Sequence, residues 1–244
     1  MSNIERLKSL LPNSLMLLIR RIYFFIQWDP WQQRTWSQEG EDQILQRIFE
    51  QQKSGFYVDI GAHHPNRFSN TYLFYRRGWF GINVDAMPGS MDAFHRERPR
   101  DINVETGIAE AMGTLDYYIF NEPALNGFSK QLSEQRNFQS NPYRIIKTKQ
   151  VTVKTLTCLL DEYLSDGQII DFLTIDVEGL DLGVLKSNNW GKYRPKIVLV
   201  EVLGSSLHEI IESPIANYMQ AQDYSLYAKC MNTVFFKNNR VSLI

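Results

Sequence analysis

Cysteine is nearly absent from this chain of 244 residues, and the two present, Cys158 and Cys230, are far apart. That excludes a disulfide framework and a cysteine-based zinc site, and it fits two thiols in a reducing cytoplasm. Net charge is also missing: 26 basic against 27 acidic residues leave −1. No basic stripe appears, and Lys147 and Lys149 form only a local pair, so nucleic acid is not an expected partner. Repeats and low-complexity linkers are absent as well. No apolar run is long enough to cross roughly 30 Å of hydrocarbon, because Arg20 and Arg21 interrupt the apolar stretch from Ser14 to Trp28. No small-residue cleavage site follows it, which argues against a signal peptide. The chain also lacks Gly-x-Gly-x-x-Gly: the glycine of the first turn is followed by Ala62, His63, His64, Pro65 and Asn66. Two bulky histidines there argue against a pyrophosphate-bearing dinucleotide.

What is present is an ordinary globular balance, 43% hydrophobic and 22% charged, enough for one sizeable core. Residues 1–36 read as an apolar helical appendage, with Leu15, Leu18, Ile19, Ile22, Phe25 and Ile26 at helical spacing. Such a helix wants cover, from the domain, from a second subunit in a homo-oligomer, or from a membrane surface with the arginines at head-group level. The expected location is therefore cytoplasmic, with peripheral contact at the inner face of a membrane as the alternative.

Residues 37–244 read as one α/β domain. Apolar runs rich in β-formers, Phe56–Ile60, Gly81–Val84, Asp101–Val104, Asp171–Val177 and Pro195–Val202, alternate with helical stretches at Phe68–Arg77, Ser90–Arg98, Leu156–Leu164, Leu182–Trp190 and Pro214–Gln222. This alternation predicts a doubly wound, mostly parallel, Rossmann-like sheet. Ser225–Ala228 and Thr233–Lys237 are joined too closely for a helical crossover, so they must close the sheet as an antiparallel hairpin. Gly113–Phe120 and Gln150–Val153 are additional strands. Between them, from about Asn121 to Ile145, the sequence shows little periodicity, as substrate loops and lids do.

In such sheets ligands bind outside the carboxyl ends of the strands. Asp59 and Gly61 end the first strand and Asp85 the second; Glu105 follows the third, Asp176 and Glu178 the fourth, and Glu201 lies near the end of the fifth. Acids from five strands at one rim need a cation or donors to balance them. The turn Gly61-Ala62-His63 is the expected cofactor loop, with His63 and His64 lining it by hydrogen bonding and stacking, and a role as metal ligands or bases as the alternative. Asp85, 24 residues beyond Gly61, stands where an acid accepts from ribose hydroxyls.

The segments Ser37-Gln38-Glu39-Gly40-Glu41-Asp42, Tyr57–Pro65, Phe68–Tyr72, Gly78–Asp85 and Ile170–Gly179 resemble the FkbM family of S-adenosylmethionine-dependent methyltransferases, over about Ser37 to Lys237. The resemblance implies a methyltransferase sheet of seven strands, S-adenosylmethionine as cofactor, and methyl transfer to a hydroxyl of a sugar, glycan or secondary metabolite, with products in polysaccharide biosynthesis among those expected. It implies Asp59, Gly61 and Asp85 as cofactor residues with Ser69 and Asn70 close by, and the segment bearing Gln38 and Asp42 as the approach to the pocket.

Two routes activate the acceptor hydroxyl. Asp176 or His208 acts as general base, or Asp176 and Glu178, with Glu201 or His208, hold magnesium, manganese or calcium against the acceptor oxygen. Glu178 has a purely structural alternative at the start of the next helix. A nicotinamide oxidoreductase and a non-catalytic cofactor- or glycan-binding module are the competing functions on this fold.

Overall fold

In the computed structural model the described residues are Leu15, 33–138, 140–203 and 206–242. The chain divides into two units, Met1–Arg34 and Thr35–Ile244. Apart from Leu15, the N-terminal helix expected from the sequence lies outside the described residues, and so do its expected membrane or subunit contacts. Among the described residues no helix is long and apolar enough to cross a membrane.

The second unit carries a seven-stranded sheet in the order β3-β2-β1-β7-β8-β10-β9. The strands are β1 (Phe56–Ile60), β2 (Phe80–Asp85), β3 (Ile102–Glu105), β7 (Phe172–Ile175), β8 (Ile197–Glu201), β9 (Tyr224–Cys230) and β10 (Thr233–Asn238). All pairings from β3 to β8 are parallel, whereas β10 runs antiparallel to both β8 and β9. The chain builds outward from β1 to β3, then returns to lay β7 on the other side of β1. That reversal opens a crevice at the carboxyl ends of β1 and β7.

Both faces of the sheet are covered, which is why its inner strands read as unbroken apolar runs. Val58, Ile60, Leu173, Ile175, Val198 and Val200 pack on one face with Leu156, Leu160, Val184, Leu185 and Met219. Those residues come from α5 (Leu156–Tyr163), α6 (Asp181–Lys186) and α8 (Pro214–Ala221). On the other face Tyr57, Phe172, Leu199 and Phe235 meet Leu45 of α1 (Glu41–Ile48), Phe74 of α2 (Tyr72–Arg76), and Phe49 and Trp79. The Phe74 and Trp79 rings lie 4.8 Å apart, and both Phe49 and Phe74 face Phe172. The remaining helix beside β3 is α3 (Met91–Glu97).

A second, three-stranded sheet has the order β4-β6-β5, with β4 (Gly107–Ile108), β5 (Gly113–Phe120) and β6 (Ile145–Lys154). Here β6 begins earlier than the sequence suggests. Its first half is mostly exposed, so pairing with β5 rather than burial holds it, and no apolar alternation announces it. The segment between β5 and β6, expected to be irregular, contains a 3₁₀ turn (Pro123–Leu125) and the helix α4 (Lys130–Arg136). Ser129 caps α4 by accepting from Leu132 N, but the helix is almost wholly polar and leaves no periodic signal. The short helix α7 (Leu207–Ile211) is likewise visible mainly through its capping box, Ser206 with Glu209.

Strand alternation corrects one expectation directly. Asp59 lies inside β1 and shares the Tyr57 face, so its carboxylate enters the aromatic layer instead of the strand-end crevice. There Asp59 accepts from Thr71 Oγ1 at 2.9 Å, and Thr71 accepts from Arg98 Nη1 at 2.9 Å. Arg98 is fully buried; it also donates to Tyr57 OH at 2.8 Å and to Asp101 Oδ2 at 2.8 Å. Ser69 belongs to the same network, 3.4 Å from Arg98 Nη1. Burial lifts the Asp59 carboxyl to about 6 against the pull of Arg98. Asp59 and Ser69 thus belong to the network around Arg98, which also reaches Pro65 O in the segment after β1.

Candidate active site

At the reversal between β1 and β7 lies a cavity of about 470 Å³, a size suited to a small molecule or cofactor. Its wall begins with the turn after β1. Gly61 has φ +87°, and a Cβ there would overlap the carbonyl oxygen of Asp176. The glycine is therefore required by the close approach of the chain leaving β7 as well as by the turn itself. Three backbone bonds stitch the place together: Gly61 N and Ala62 N each donate to Val84 O at 2.9 Å, and Asp176 N donates to Ile60 O at 3.0 Å.

Asp85, at the end of β2, lines the cavity and is almost entirely buried. Its Oδ2 accepts from His63 N at 2.9 Å and its Oδ1 from Met87 N at 2.8 Å. One carboxylate therefore joins the first loop to the second, and each oxygen keeps a lone pair for a ligand. Burial raises its pKa, and the two backbone N–H groups partly oppose that. His63, at φ +53°, lines the cavity with its buried Nε2 unpartnered among the described residues. Burial and the nearby Arg67 and His64 lower its pKa to about 4, so the imidazole is neutral at neutral pH.

Beyond the end of β7 the chain turns through Asp176, Val177, Glu178 and Gly179, with Glu178 at φ +54° and Gly179 at φ +95°. Asp181, the first residue of α6, holds this turn by accepting from Val177 N at 3.1 Å and Gly179 N at 3.0 Å. The helix-start role that the sequence offers to Glu178 thus falls to Asp181, and Glu178 is left free to face the cavity. A strained φ at a non-glycine residue, imposed by its surroundings, is a common mark of functional sites.

Asp176, Glu178 and Glu201 converge here, with carboxylate oxygens within 4.8 Å of one another. Desolvation in the cavity pushes all three carboxyls upward, and repulsion from acidic neighbours adds to it for two of them: Asp176, whose side chain is open to solvent, well above the usual carboxylate range, and Glu201 to about 8. Arg136, the last residue of α4, places Nη1 2.6 Å from Glu178 Oε2 and pulls the two glutamates the other way. The segment between β5 and β6 therefore roofs the cavity, with Glu122 to Phe128, Arg136 and Tyr143 in its lining.

Of the residues expected from sequence, Gln38, Gly61, His63, Asn70, Asp85, Asp176, Glu178 and Glu201 line one cavity. Asp59, Ser69, Asp42, Ala62, Glu105 and His208 do not. Asp42 is fully buried and organises the chain before α1, accepting from Thr35 Oγ1 at 2.7 Å and Trp36 N at 2.8 Å. Ala62 is buried against Met91 and Phe94. Glu105 is exposed at the end of β3, where it accepts from Gly89 N at 2.7 Å. His208 is exposed on α7 and stands outside the carboxylate group, because a five-residue helix with its own caps carries it away. Sequence reasoning missed Arg136 and Asp181. Asp181 could have been found as an acid in the first turn of a helix; Arg136 carried no signal.

The family described as Methyltransferase FkbM domain matches residues 59–226. No curated protein matches the chain. Among solved structures, a methyltransferase FkbM from Methylobacillus flagellatus KT is similar at 12% identity and a TM-score of 0.46, covering 76% of this chain and 44% of that one. The present chain thus spans less than half the length of that protein. A TehB-like SAM-dependent methyltransferase from Corynebacterium glutamicum ATCC 13032 Kitasato is similar at 10% identity and a TM-score of 0.40, covering 92% of this chain and 97% of that one.

Proposed function

Since the chain belongs to the FkbM methyltransferase family, we propose that it moves the methyl group of S-adenosylmethionine onto an oxygen, a hydroxyl of a sugar, glycan or secondary metabolite. One observation carries this reading: the Gly61 turn with Asp85, and the corner formed by Asp176, Glu178 and Glu201, open into the same cavity. A donor and an acceptor can therefore meet there.

The residues fit the cofactor. Asp85 has lone pairs to spare for ribose hydroxyls, and the Gly61–His63 turn with Gln38 and Asn70 makes the adjoining wall. Bound S-adenosylmethionine supplies an electrophilic methyl carbon on a sulfonium. Asp176 is the residue we assign as general base. It lines the cavity, its carboxylate makes no hydrogen bond among the described residues, and its raised pKa suits proton removal near neutral pH. Glu201 shares the corner beside it. Holding an acceptor hydroxyl against such a base converts a poor nucleophile into an oriented one.

A divalent cation fits less well. The three carboxylates offer oxygen ligands of the right kind, but Glu178 already carries a cation, the Arg136 guanidinium. No step is assigned to a metal.

The test is Asp176→Asn with labelled S-adenosylmethionine and an acceptor panel. Label transfer falls at least a hundredfold while S-adenosylhomocysteine binds as before. A variant that keeps most of its rate removes Asp176 as the base, and a wild-type chain that binds cofactor without transferring label is a binding module.

A further inference from the structure

Three carboxylates share one corner of the cavity, and among the described residues a single guanidinium pairs with one of them, Glu178. The position of that guanidinium is fixed by the fold. The segment leading to α4 is pressed on the turn after β7 at two glycines. At Gly127 a Cβ would stand 2.8 Å from the Cβ of Glu178; at Gly179 one would stand 3.2 Å from the Cβ of Ser129 and 3.5 Å from Leu132 Cδ2. Helix α4 thus starts directly over the strained Glu178 and ends with Arg136 pointing back at it. The pair is well enclosed, with 18% of the arginine side chain and 12% of the glutamate side chain exposed.

Enclosure matters because a buried carboxylate without a partner is costly, and a partner supplied from the same chain is always at hand. The arginine acts on Glu201 as well, opposing the upward shift that burial imposes on it. The carboxylates of Asp176 and Glu201 have no hydrogen-bond donor among the described residues, so they remain open to whatever enters the cavity. A divalent cation drawing on Glu178 as well as Asp176 and Glu201 would compete with Arg136 for the Glu178 carboxylate.

We propose that Arg136 sets the charge specificity of the acceptor corner: its guanidinium is the resident cation of the Asp176–Glu178–Glu201 group, it keeps divalent metal ions out, and it leaves Asp176 and Glu201 to receive an uncharged hydroxyl. The word acceptor rests on the methyl-transfer reading; the competition between Arg136 and a cation rests on geometry alone.

Mn²⁺ is the probe, titrated into the full chain while the free-ion EPR signal is followed, for wild type, Arg136→Gln, Arg136→Lys and Arg136→Gln combined with Glu201→Gln. Arg136→Gln binds Mn²⁺ at least tenfold more tightly than wild type. Arg136→Lys stays within about threefold of wild type, and the double variant loses the gain. Equal affinity in wild type and Arg136→Gln, whether tight or undetectable in both, overturns the proposal. Should Arg136→Gln not fold, wild type and Glu201→Gln decide: submillimolar Mn²⁺ binding to wild type that Glu201→Gln abolishes overturns the proposal, and no such binding supports it. S-adenosylhomocysteine titrations run alongside. If no form of the protein binds it, the methyl-transfer reading fails while the Mn²⁺ comparison still stands.

Discussion

Gly61→Ala is the substitution whose consequence can be worked most fully, because the structure contains its own control. Gly61 and Gly89 share φ +87°, but a Cβ at Gly89 meets nothing within 4 Å, whereas at Gly61 it overlaps the Asp176 carbonyl oxygen. The left-handed backbone alone costs a residue with a Cβ about 1–2 kcal/mol, and Gly89→Ala should lose that much. Gly61→Ala loses the same and must also push the β7 exit away. That motion strains Asp176 N to Ile60 O and the two bonds to Val84 O, each worth about 1 kcal/mol. The sum is about 4–5 kcal/mol, in the range reserved for specific structural conflicts. At roughly 2–4 °C per kcal/mol for a domain of this size, Tm falls by about 8–20 °C, against about 2–8 °C for Gly89→Ala. Urea and thermal unfolding measure the loss, and calorimetric titration with S-adenosylhomocysteine measures the site. Gly61→Ala also weakens cofactor binding, since the turn and the Asp176 corner move together; Gly89→Ala does not. Equal stability losses in the two variants would refute the steric argument, and a Gly61→Ala protein with wild-type cofactor affinity would refute the mechanical link between the two loops.

Asp85→Asn places an amide NH₂ against one of the two backbone N–H groups that the carboxylate now accepts. A donor facing a donor costs about 1–3 kcal/mol, so S-adenosylhomocysteine affinity should fall roughly fivefold to 150-fold; an unchanged affinity would show that Asp85 holds neither loop nor ligand. Stability should depend on pH in an unusual direction. The folded-state pKa of Glu201 is raised from the ordinary 4.5 to about 8, so the folded chain holds a proton that the unfolded chain has released. Its contribution is intact below about pH 4.5 and is lost as pH rises through about 8. Tm therefore falls between pH 6 and pH 8.5, and Glu201→Gln flattens the slope; identical slopes in the two proteins would remove Glu201 as its source.

The parts of the fold legible in the sequence were those where burial dictates residue type over several positions. Phe56–Ile60 and Ile197–Val200 lie in strands covered on both faces and could hardly be anything else. The short link between β9 and β10 fixed their antiparallel pairing, since no helix fits in it. By contrast β4 is two residues long, α4 is polar nearly throughout, and β6 is held by its partner β5; none of these leaves a pattern in one dimension.

The chemistry divides along a similar line. The sequence by itself determined the order of the strands of the large sheet and of the helices that cover it, the glycine after β1, and which acids follow which strand, because each is a local matter of spacing and residue type. It could not tell which way a side chain leaves a strand that is buried on both sides, and so it grouped Asp59 with Asp85. Only the tertiary structure sent Asp59 to the Arg98 network and His208 to an exposed helix. Only the tertiary structure brought Arg136 across from the roof to Glu178. The turn of Glu178 toward the cavity depends on Asp181, Gly127 and Gly179 together. Contacts between segments distant in the chain are set by packing, and packing is written in no single stretch of residues.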